Sequence, residues 1–545
     1  MQQPMLRRWF ESLSRARETS PSTLRNLSLV LCVAILLTGC QPGPDTVTFP
    51  TTTDDQDSDL KHSSTLPPTQ TQAPNPTHTP SPSPSPVLLA VPERWMSTAA
   101  QAIEQLESQG TRWQWQLDTG GDAAKKVSQG FADLALVPSA EGIHAGTRRF
   151  ALGVPFTSDW ETITTAQAQE ILTQGSPFVA VMDWAELPAN LKALRVDGRH
   201  PSESEYPLLQ TWSLVAAPGY EAAAVELSPI MSDALSADPV VHVAAVGDIM
   251  LDRALGDAIQ AGDLDYPFAE VVDLLSPADL AIGNLETAIG DQGSPVDKGF
   301  TFRAPTGAAQ TLSLAGFDLL SLANNHAMDF GPTALLNGMT LLHAQGIDTI
   351  GAGEYEGVAR APAIRNLNGI TLAFLAYVDV PVEYRGFDTR SWAATPTRPG
   401  VAWADPAQIE ADVASARSQA DVVIVLIHSG FEYDPNPSPP QVSAARTAID
   451  AGADLVLGHH AHVLQGIEFY SDGVIVYGLG NFAFDDGGES QSALLNVWLD
   501  QDGVRTLELV PVMLDRDGRP NPATEAQARV IRAQVYSLTT EEDRP

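Results

Sequence analysis

The sequence predicts two α/β domains behind an N-terminal leader, and the second of them is predicted to be a layered α/β or α/β/β/α fold. Two observations predict this class. Apolar strand candidates alternate with helical patterns through residues 241–515, and the region ends in two long strand candidates joined by Asp502-Gly503, which is typical of a hairpin. At 545 residues the chain is long enough for two or three cores.

The charge of the chain narrows the range of partners. There are 67 acidic against 31 basic residues, a formal net charge of -36. Such a field repels nucleic acid and anionic membrane surfaces, so no nucleic acid partner is expected. The excess of acidic residues favours solubility. It does not exclude a local basic pocket.

Residues 1–40 have the pattern of a lipoprotein signal peptide. A positive stretch precedes the apolar run Leu27–Leu36, which is too short to span a bilayer. Leu37-Thr38-Gly39-Cys40 then resembles the lipobox of bacterial lipoproteins, which implies cleavage before Cys40 and a lipid anchor on its thiol. The protein is therefore expected outside the cytoplasm, on the outer face of the bacterial cytoplasmic membrane. The alternative is a plain signal peptide with a chance cysteine.

Residues 41–86 are rich in Pro, Thr and Ser and poor in large apolar side chains. Such a segment cannot bury enough surface to fold, so it is predicted to be a disordered, extended tether. Cys32 lies inside the leader, which leaves Cys40 as the one cysteine of the processed chain and predicts that it has no disulfide.

Residues 87–232 are predicted to form a smaller α/β domain. It contains the pattern Phe131–Val137, then Phe150–Phe156, then Ile163–Gly175. This order resembles type 2 periplasmic solute-binding proteins, in particular the phosphate-binding branch, which implies recognition of a small anion or glycan. The alternatives are a degenerate binding domain or a mere structural neighbour, since no Ser/Thr/Gly-rich anion loop is present. The predicted elements are strands at Val87–Val91, Ala132–Val137 and Phe150–Val154 and helices at Ser97–Ser108 and Thr164–Leu172.

Residues 241–515 are predicted to form the second, larger domain, and residues 516–545 a polar C-terminal tail that is partly helical or disordered. Helices are predicted at Thr333–Gln345 and Ala407–Ser418. The strand candidates are Val241–Val246, Leu280–Ile282, Leu319–Leu322, Ile370–Tyr377, Val422–Ile427, Leu455–Leu457 and Val474–Tyr477, followed by the hairpin Ala493–Leu499 and Val504–Met513.

Polar clusters follow the carboxyl ends of six of these strands. In open α/β sheets, ligands bind at that edge, so the six clusters are expected to converge on one site. Taken singly each has a plainer explanation, such as a turn, a helix N-terminal carboxylate or a core histidine. The clusters are Gly247-Asp248, Asn284-Leu285-Glu286, Asn324-Asn325-His326 with Asp329, His428 with Glu432, His459-His460-Ala461-His462, and Gly480-Asn481.

The histidines concentrate in the fifth cluster, which holds three of the eleven in the chain. In an extended segment His460 and His462 share a face, while His459 faces the backbone or another partner. Imidazole, carboxylate and carboxamide together are the ligands of a one- or two-metal centre of Mn, Fe or Zn. The sequence therefore predicts a divalent metal site.

These motifs, in this order, are similar to those of the CapA family of poly-γ-glutamate capsule synthesis proteins. The similarity also includes Phe302-Arg303-Ala304-Pro305 and Ala315-Gly316-Phe317-Asp318 and spans about 241–485. It implies a four-layer α/β/β/α domain like that of calcineurin-like metallophosphoesterases. It also implies a surface location and a role in making or exporting an anionic polymer, with the polymer or its synthesis machinery as partner.

The resemblance further implies a role for each matching residue. His326 and Asp329 would be catalytic, His326 as the general acid, and Arg303 and Glu432 would bind substrate. Glu286 would lie near the bridging position of the metal site. The remaining metal ligands would be Asp248, His460 and His462 for one ion and Asn325 and His428 for a second.

The sequence departs from the metallophosphoesterase pattern at three of these motifs, one being Ser429, which follows His428 where many relatives carry Trp. Met250 stands where the Asp-x-His motif has its histidine, and a thioether is a poor ligand for a hard or borderline ion. Gly-Asn-Leu-Glu replaces the usual Gly-Asp-x-x-Asp. Two further functions therefore stay open beside the polymer-synthesis role: a metal-dependent hydrolase of a phosphoester or polymer amide, and a non-catalytic binding or assembly component.

Overall fold

The computed structural model describes residues 85–119, 121–488 and 490–541. The leader with Cys40, and all but the last two residues of the predicted tether 41–86, lie outside the described residues. Within the described ranges, no helix is both long enough and apolar enough to cross a membrane.

The upstream region is built on one mixed sheet of seven strands, in the order β2-β1-β3-β9-β4-β6 with β7 also paired to β4. The last helix continues to Ser236, beyond the predicted boundary at 232. The strands are β1 (Val87–Ala90), β2 (Trp115–Asp118), β3 (Leu134–Val137), β4 (Ile143–Pro155), β5 (Thr162–Ile163), β6 (Ala180–Asp183), β7 (Leu191–Ala193), β8 (Arg195–Val196) and β9 (Leu209–Ala216), and the helices are α1 (Met96–Ser108), α2 (Ala123–Ser128), α3 (Thr165–Gln174) and α4 (Glu221–Ser236).

The second region contains two large sheets. Sheet I has eight strands in the order β15-β14-β11-β10-β25-β26-β27 with β24 also paired to β10, and sheet II has seven in the order β17-β18-β20-β21-β23-β22-β28. The strands are β10 (Val241–Met250), β11 (Leu280–Leu285), β12 (Ala288–Ile289), β13 (Arg303–Ala304), β14 (Leu319–Ser321), β15 (Asp348–Ile350), β16 (Ala352–Gly353), β17 (Ala363–Leu367), β18 (Ile370–Asp379), β19 (Gly400–Val401), β20 (Val422–Ser429), β21 (Leu455–His459), β22 (Ile467–Tyr470), β23 (Gly473–Val476), β24 (Asn481–Phe484), β25 (Ser490–Asp500), β26 (Gly503–Leu514), β27 (Pro520–Pro522) and β28 (Thr540–Glu541). The helices are α5 (Arg253–Gln260), α6 (Val272–Leu275), α7 (Ala308–Leu314), α8 (Gly331–Ala344), α9 (Glu356–Ala359), α10 (Pro406–Arg417), α11 (Pro439–Asp450) and α12 (Glu525–Leu538).

The two sheets pack face to face, and helices cover their outer faces. Alternation along β20 shows why: Ile424 joins the core shared with sheet I, whereas Val425 joins the core formed with α10 and α11. A strand buried on both faces is apolar at every position, as the run from Val422 to Ile427 is. The predicted four-layer α/β/β/α fold is confirmed.

The end of the chain is partly helical, as predicted for the polar tail 516–545, but it packs into the fold. Strand β27 extends sheet I, and α12 places Ile531 and Val535, which are 0% and 1% exposed, in the main core. The apolar positions of α12 are separated by polar ones at helical spacing, so the segment is polar in composition but amphipathic once it is helical.

The two regions meet along a seam formed by Lys192, Arg195 and His200 of the upstream region and Trp498, Glu508 and Tyr536 of the second. Arg195 donates through Nε and Nη2 to the two carboxylate oxygens of Glu508, each at 2.8 Å. The ring of His200 stacks on Trp498 with centroids 3.8 Å apart, and Lys192 Nζ lies 3.1 Å from the Tyr536 hydroxyl. The upstream region is therefore fastened to the second by specific buried contacts.

Candidate metal centre

Five of the six predicted metal-binding side chains meet at the carboxyl ends of β10, β11, β20 and β21. Their potential ligand atoms fall into sets in which all lie within 4.8 Å of one another. One set combines Asp248, Glu286 and His462, and a second combines Glu286, His428 and His460. Glu286 belongs to both sets, as expected for a residue near a bridging position.

Asp248 lies within β10 itself, where the strand changes register before its last residues. It pairs with Asn284 on one side and Asn481 on the other. Gly247 is required before it, because a Cβ there would lie 1.9 Å from the Gly480 carbonyl oxygen. The Gly-Asp motif thus marks a close approach of two strands rather than a turn.

The histidine segment does not have the extended conformation predicted for it. β21 ends at His459, whose Nε2 lies 3.3 Å from the Val246 carbonyl oxygen. His460 and His462 then adopt positive φ angles of 88° and 55°. Non-glycine residues in that region are strained, and such strain concentrates at functional sites. The two rings converge through this turn rather than through strand alternation.

The turn also changes which side chains group together. The ring centroid of His460 is 4.8 Å from that of His428, so His460 lies with His428 and Glu286. His462 instead lies 3.4 Å from Asp248 Oδ2 through Nδ1. Ligand atoms of His460 and His462 also form a third such set with Glu432, so their implied role as ligands of the same ion stays a prediction.

Several buried polar atoms of this cluster have no hydrogen-bond partner among the residues that the structure describes. Both carboxylate oxygens of Glu286 are in this state, as is Nδ1 of His460. Glu286 is 0% exposed. Buried polar groups are almost always paired, because an unpaired one loses its hydration without compensation. Unpaired carboxylate and imidazole atoms facing one another are the donor set that a divalent cation fits.

The pKa shifts within the cluster reflect an excess of negative charge. Burial opposes ionisation of Asp248, but a hydrogen bond with His462 and the nearby imidazoles outweigh burial and lower its pKa. Burial, and then the charge of Asp248, raise the pKa of Glu286 well above 4.5. Burial acts against protonation of His462, yet Glu286 and Asp248 raise its pKa to about 10. Two carboxylates thus compete for one imidazolium, and a cation would relieve the imbalance.

Asn325 and His428 are in direct contact, with Asn325 Oδ1 2.6 Å from His428 Nε2. Burial, and then the charge of His460, lower the pKa of His428 well below 6.5. Glu286 Oε1 lies 3.5 Å from the same Nε2. The amide oxygen of Asn325 is therefore at the edge of the second set.

His326 and Asp329 form a pair beside the cluster. Nδ1 of His326 lies 2.7 Å from Asp329 Oδ2, and the imidazole stacks on Phe302 with centroids 4.2 Å apart. The same carboxylate oxygen accepts the backbone N–H of Phe302 at 2.7 Å. Burial, partly offset by Asp329, lowers the pKa of His326. With Nδ1 engaged, Nε2 is the nitrogen left for a substrate.

The two predicted substrate-binding residues lie in different surroundings. Glu432 is exposed, and its carboxylate groups with His460 and His462. Arg303 instead contacts neighbouring loop residues. Its guanidinium lies 3.5 Å from the Phe330 ring centroid and donates to the Gln292 carbonyl oxygen at 2.8 Å. Glu432 therefore joins the metal-binding group, while the contacts of Arg303 support the loop around the site.

Met250, at the position of the motif histidine, is fully buried in the core. Its sulfur accepts the backbone N–H of Asp252 at 3.2 Å. Met250 therefore contributes to packing and to the local backbone conformation. This agrees with the poor ligand properties of a thioether.

Sequence reasoning missed one buried cation at the site. The side chain of Lys298 is 0% exposed, and Nζ lies 2.7 Å from Asp329 Oδ1 and 2.9 Å from Glu383 Oε1. Asn284 is also part of the site, because its Nδ2 donates to Asp248 Oδ1 at 2.8 Å. Asn481 is a partner of His462, whose Nδ1 lies 2.7 Å from Asn481 Oδ1. Both asparagines stand in strand-end motifs, whereas a lone loop lysine carries no comparable signal.

Two packed sheets with a carboxylate and imidazole cluster at their strand ends define an α/β/β/α protein with a candidate metal centre. The model of the family "Bacterial capsule synthesis protein PGA_cap" matches residues 242–486. The capsule biosynthesis protein CapA of Bacillus anthracis is 34% identical over 54% of this chain and 72% of that protein. The PGA biosynthesis protein CapA of Bacillus subtilis (strain 168) is 34% identical over 54% of this chain and 78% of its own length. The chain belongs to this family of bacterial capsule synthesis proteins.

Among solved structures, a phosphatase of Mycoplasma pneumoniae is similar to half of the chain. It shares 12% sequence identity, covers 50% of this chain and 94% of its own, and has a TM-score of 0.35. A similarity of that size is too low to transfer a function. The predicted likeness of residues 87–232 to solute-binding proteins stays a prediction.

Proposed function

We propose that this protein takes part in the synthesis or export of an anionic capsular polymer of the poly-γ-glutamate type, and that it acts through a divalent metal centre. Family membership supports the first part, since two relatives that match over more than two thirds of their length are named for capsule or PGA biosynthesis. The unpaired, buried carboxylate of Glu286 among four other ligand residues supports the second.

The proposed ligands are Asp248, Glu286 and His462 for one position, and Glu286, His428 and His460 for another, with Asn325 and Glu432 at the edges. A divalent ion bound there would supply a Lewis acid and a hydroxide nucleophile at neutral pH. Manganese, iron and zinc all suit this mixture of nitrogen and oxygen donors.

Metal-dependent hydrolysis is a second candidate function, and the His326–Asp329 pair favours it. Asp329 accepts from Nδ1 and so holds the ring with Nε2 available. In that orientation the imidazolium form of His326 can protonate a leaving oxygen or nitrogen, and Asp329 stabilises the charge that the ring carries. A protein that only assembled polymer would not require an oriented proton donor.

The lipid anchor is part of the same proposal. The sequence Leu37-Thr38-Gly39-Cys40 supports attachment to the outer face of the cytoplasmic membrane. Metabolic labelling with a fatty acid tests this: Cys40→Ala would abolish the label and release the protein from membranes. Label retained on the variant would contradict the anchor.

Metal analysis of the purified full chain tests the centre. We expect one to two equivalents of Mn, Fe or Zn per chain after anaerobic purification, and a large loss in His460→Ala and His462→Ala. His343→Ala is the matched control, because His343 is an exposed histidine bonded to Thr349 on the outer side of the fold. Less than one equivalent in the wild-type protein would overturn the metal centre.

Turnover is tested separately with an aryl phosphate and with a γ-glutamyl amide. His326→Ala should remove hydrolysis while it retains the metal. Metal binding without hydrolysis of either compound, together with normal polymer formation in a His326→Ala strain, would exclude the hydrolase and leave the assembly role.

A further inference from the structure

Lys298 occupies an unusual position for a lysine. It lies on the loop between β12 and β13, yet its side chain is 0% exposed. Its ammonium contacts the carbonyl oxygen of Asn325 and Asp329 Oδ1, the latter at 2.7 Å. The ring of Trp392 lies 5.1 Å from Nζ and covers one side of the group.

A second carboxylate reaches Lys298 from the other sheet. Glu383 lies in the segment that follows β18 of sheet II, and its Oε1 forms an ion pair with Lys298 Nζ at 2.9 Å. The two atoms do not have the geometry of a hydrogen bond. The loop of Lys298 belongs to the side of sheet I and is tied to Asp329 by the backbone N–H of Val296 at 2.9 Å. The pair therefore connects the loops of the two sheets at the site.

Such a group is not explained by stability alone. Taking an ammonium out of water costs several kcal/mol, and replacing a buried ion pair with apolar residues is often neutral or stabilising, as a general matter. A buried lysine is better explained by what its hydrogen bonds hold in place. Here they hold Asn325, whose side chain contacts His428, and Asp329, which orients His326.

The contacts also assign the proton on His326. Nδ1 lies 2.7 Å from Asp329 Oδ2 and 3.3 Å from Lys298 Nζ. An ammonium cannot accept a hydrogen bond, and Asp329 is the nearer group, so the proton is assigned to Nδ1, which donates to the carboxylate. Lys298 then balances the negative charge of Asp329 from its other oxygen.

We propose that Lys298, held by Glu383, is a positioning residue for the candidate centre: it fixes the Asn325 backbone on one side and the Asp329–His326 pair on the other. The role given to Lys298 depends on the proposed function of the centre. The contacts that Lys298 makes do not depend on it. Among the described residues Lys298 forms no hydrogen bond with a proposed metal-ligand atom; its direct contacts are with Asn325, Asp329 and His326. Its charge also acts on Glu286 and His460 across the site.

The test compares two buried lysines in the full-length protein. Lys298→Met removes the proposed positioning contacts. Lys192→Met is the matched control, because the side chain of Lys192 is 4% exposed and pairs with Glu161 at 2.5 Å in the seam. Both variants should lower the melting temperature by several degrees, since each removes a buried ammonium that is paired with a carboxylate.

The first readout is Mn²⁺ binding by calorimetry. Lys298→Met should weaken the affinity roughly 10- to 100-fold, the usual effect of removing a group that orients a metal ligand. Lys298→Arg should restore part of it, Glu383→Gln should show a smaller loss, and Lys192→Met should bind like the wild type. Wild-type affinity in Lys298→Met despite its lower melting temperature would overturn the positioning role.

The second readout needs no metal and separates the proposal from the proposed function. In protein labelled with ¹⁵N-histidine, the Nδ1–H proton of His326 should give a downfield resonance, identified by its absence in His326→Ala. We expect it in the wild type, Lys192→Met and Lys298→Arg, and its loss in Lys298→Met. If the wild type binds none of Mn²⁺, Fe²⁺ and Zn²⁺, the metal centre is refuted, and this resonance alone decides the role of Lys298. Its persistence in Lys298→Met would overturn that role.

Discussion

The seam between the two regions and the candidate metal centre both bury charged side chains, but they differ in how completely those charges are paired. In the seam, Glu508 receives two bonds from Arg195 and one from Asn496, and together these lower its pKa to about 2 although burial opposes that. In the centre, Glu286 is more completely enclosed, with its side chain 0% exposed against 19% for Glu508, and neither of its oxygens has a hydrogen-bond partner among the described residues. The paired charges of the seam connect the two regions of the protein. The unpaired carboxylate of Glu286 instead fits a site for a bound cation.

The contrast also appears in the backbone. The centre is framed by residues with positive φ, namely Tyr433, His460 and His462. The seam strands β7, β25 and β26 pair in regular register apart from one shift near Trp498, and the seam has one non-glycine residue of positive φ, Asp197. Strain is tolerated where surrounding contacts determine the conformation and where function requires a special side-chain direction. The comparison therefore separates structural from functional burial within one chain.

The largest effect is expected from Glu286→Gln. Loss of the shared carboxylate should weaken metal binding at least about 100-fold, roughly 3 kcal/mol. The metal-free variant should at the same time be more stable than wild type by about 1–2 kcal/mol, because an uncompensated buried carboxylate is removed. Metal titration and urea unfolding measure the two changes. A variant that lost both metal and stability would indicate that Glu286 has an internal partner.

The reverse pattern is expected from Glu508→Ala in the seam. Arg195 would lose its bidentate partner in a largely buried place, which should destabilise the protein by about 3 kcal/mol. Metal affinity should not change, since Glu508 lies in the seam rather than at the centre. Urea unfolding followed by metal titration checks this. An equal loss of metal affinity would show that the seam and the centre are coupled.

A smaller effect is expected from pH, through His200. Burial lowers the pKa of His200 to about 3, against 6.5 for an unperturbed histidine. Below pH 6.5 the unfolded chain binds a proton that the folded chain does not, so stability falls as pH falls toward 3. The loss from this residue between pH 6.5 and about pH 5 should be about 1.5 kcal/mol.

Unfolding of His200→Phe across the same pH range isolates that contribution, because the ring can still stack on Trp498 but does not titrate. Its stability should fall less steeply with acid than that of the wild type. His144→Phe, at an exposed site, is the control and should follow the wild type. Identical slopes for wild type and His200→Phe would refute the buried neutral imidazole.

The smallest effect is expected from Arg303→Ala. The guanidinium packs over Phe330 and bonds to a backbone oxygen, so its loss should lower stability by about 0.5–1 kcal/mol. Metal affinity should stay within about twofold, since these contacts lie in the loop rather than the cluster. Calorimetry with Mn²⁺ provides the measurement. A strong loss of binding would return Arg303 to the site that the sequence predicted for it.

Much of the second region could be predicted from its sequence. Strands buried on both faces are uniformly apolar, so Val422–Ile427 was recognisable and its observed extension to Ser429 is short. The hairpin around Asp502-Gly503 has the observed form, with β25 and β26 antiparallel. Helix α12 was harder, because its apolar positions are diluted by polar ones and an isolated amphipathic pattern is weak evidence of packing.

The site could be predicted in its residue types but not in its arrangement. Asp248, Glu286, His428, His460 and His462 stand at strand ends, and parallel strands bring such ends together. The positive φ angles that turn His460 toward His428 depend on neighbouring strands and have no signature in the segment itself. Lys298 and Glu383 lie 85 positions apart on loops of different sheets, and nothing local relates them.

The sequence by itself determined the layered α/β class, the strand-end placement of the ligand residues and the family, because apolar periodicity and ordered motifs are local properties. Tertiary structure alone decided three things: which histidine faces which carboxylate, that Arg303 supports a loop, and that Lys298 is buried beside His326. The physical reason is that pairing between buried charges depends on the distance between chain segments that are far apart in sequence. Glu286 shows this most clearly. From the sequence alone it is an ordinary carboxylate at the end of a strand, whereas in the fold two sheets enclose it and both of its oxygens lack a hydrogen-bond partner among the described residues.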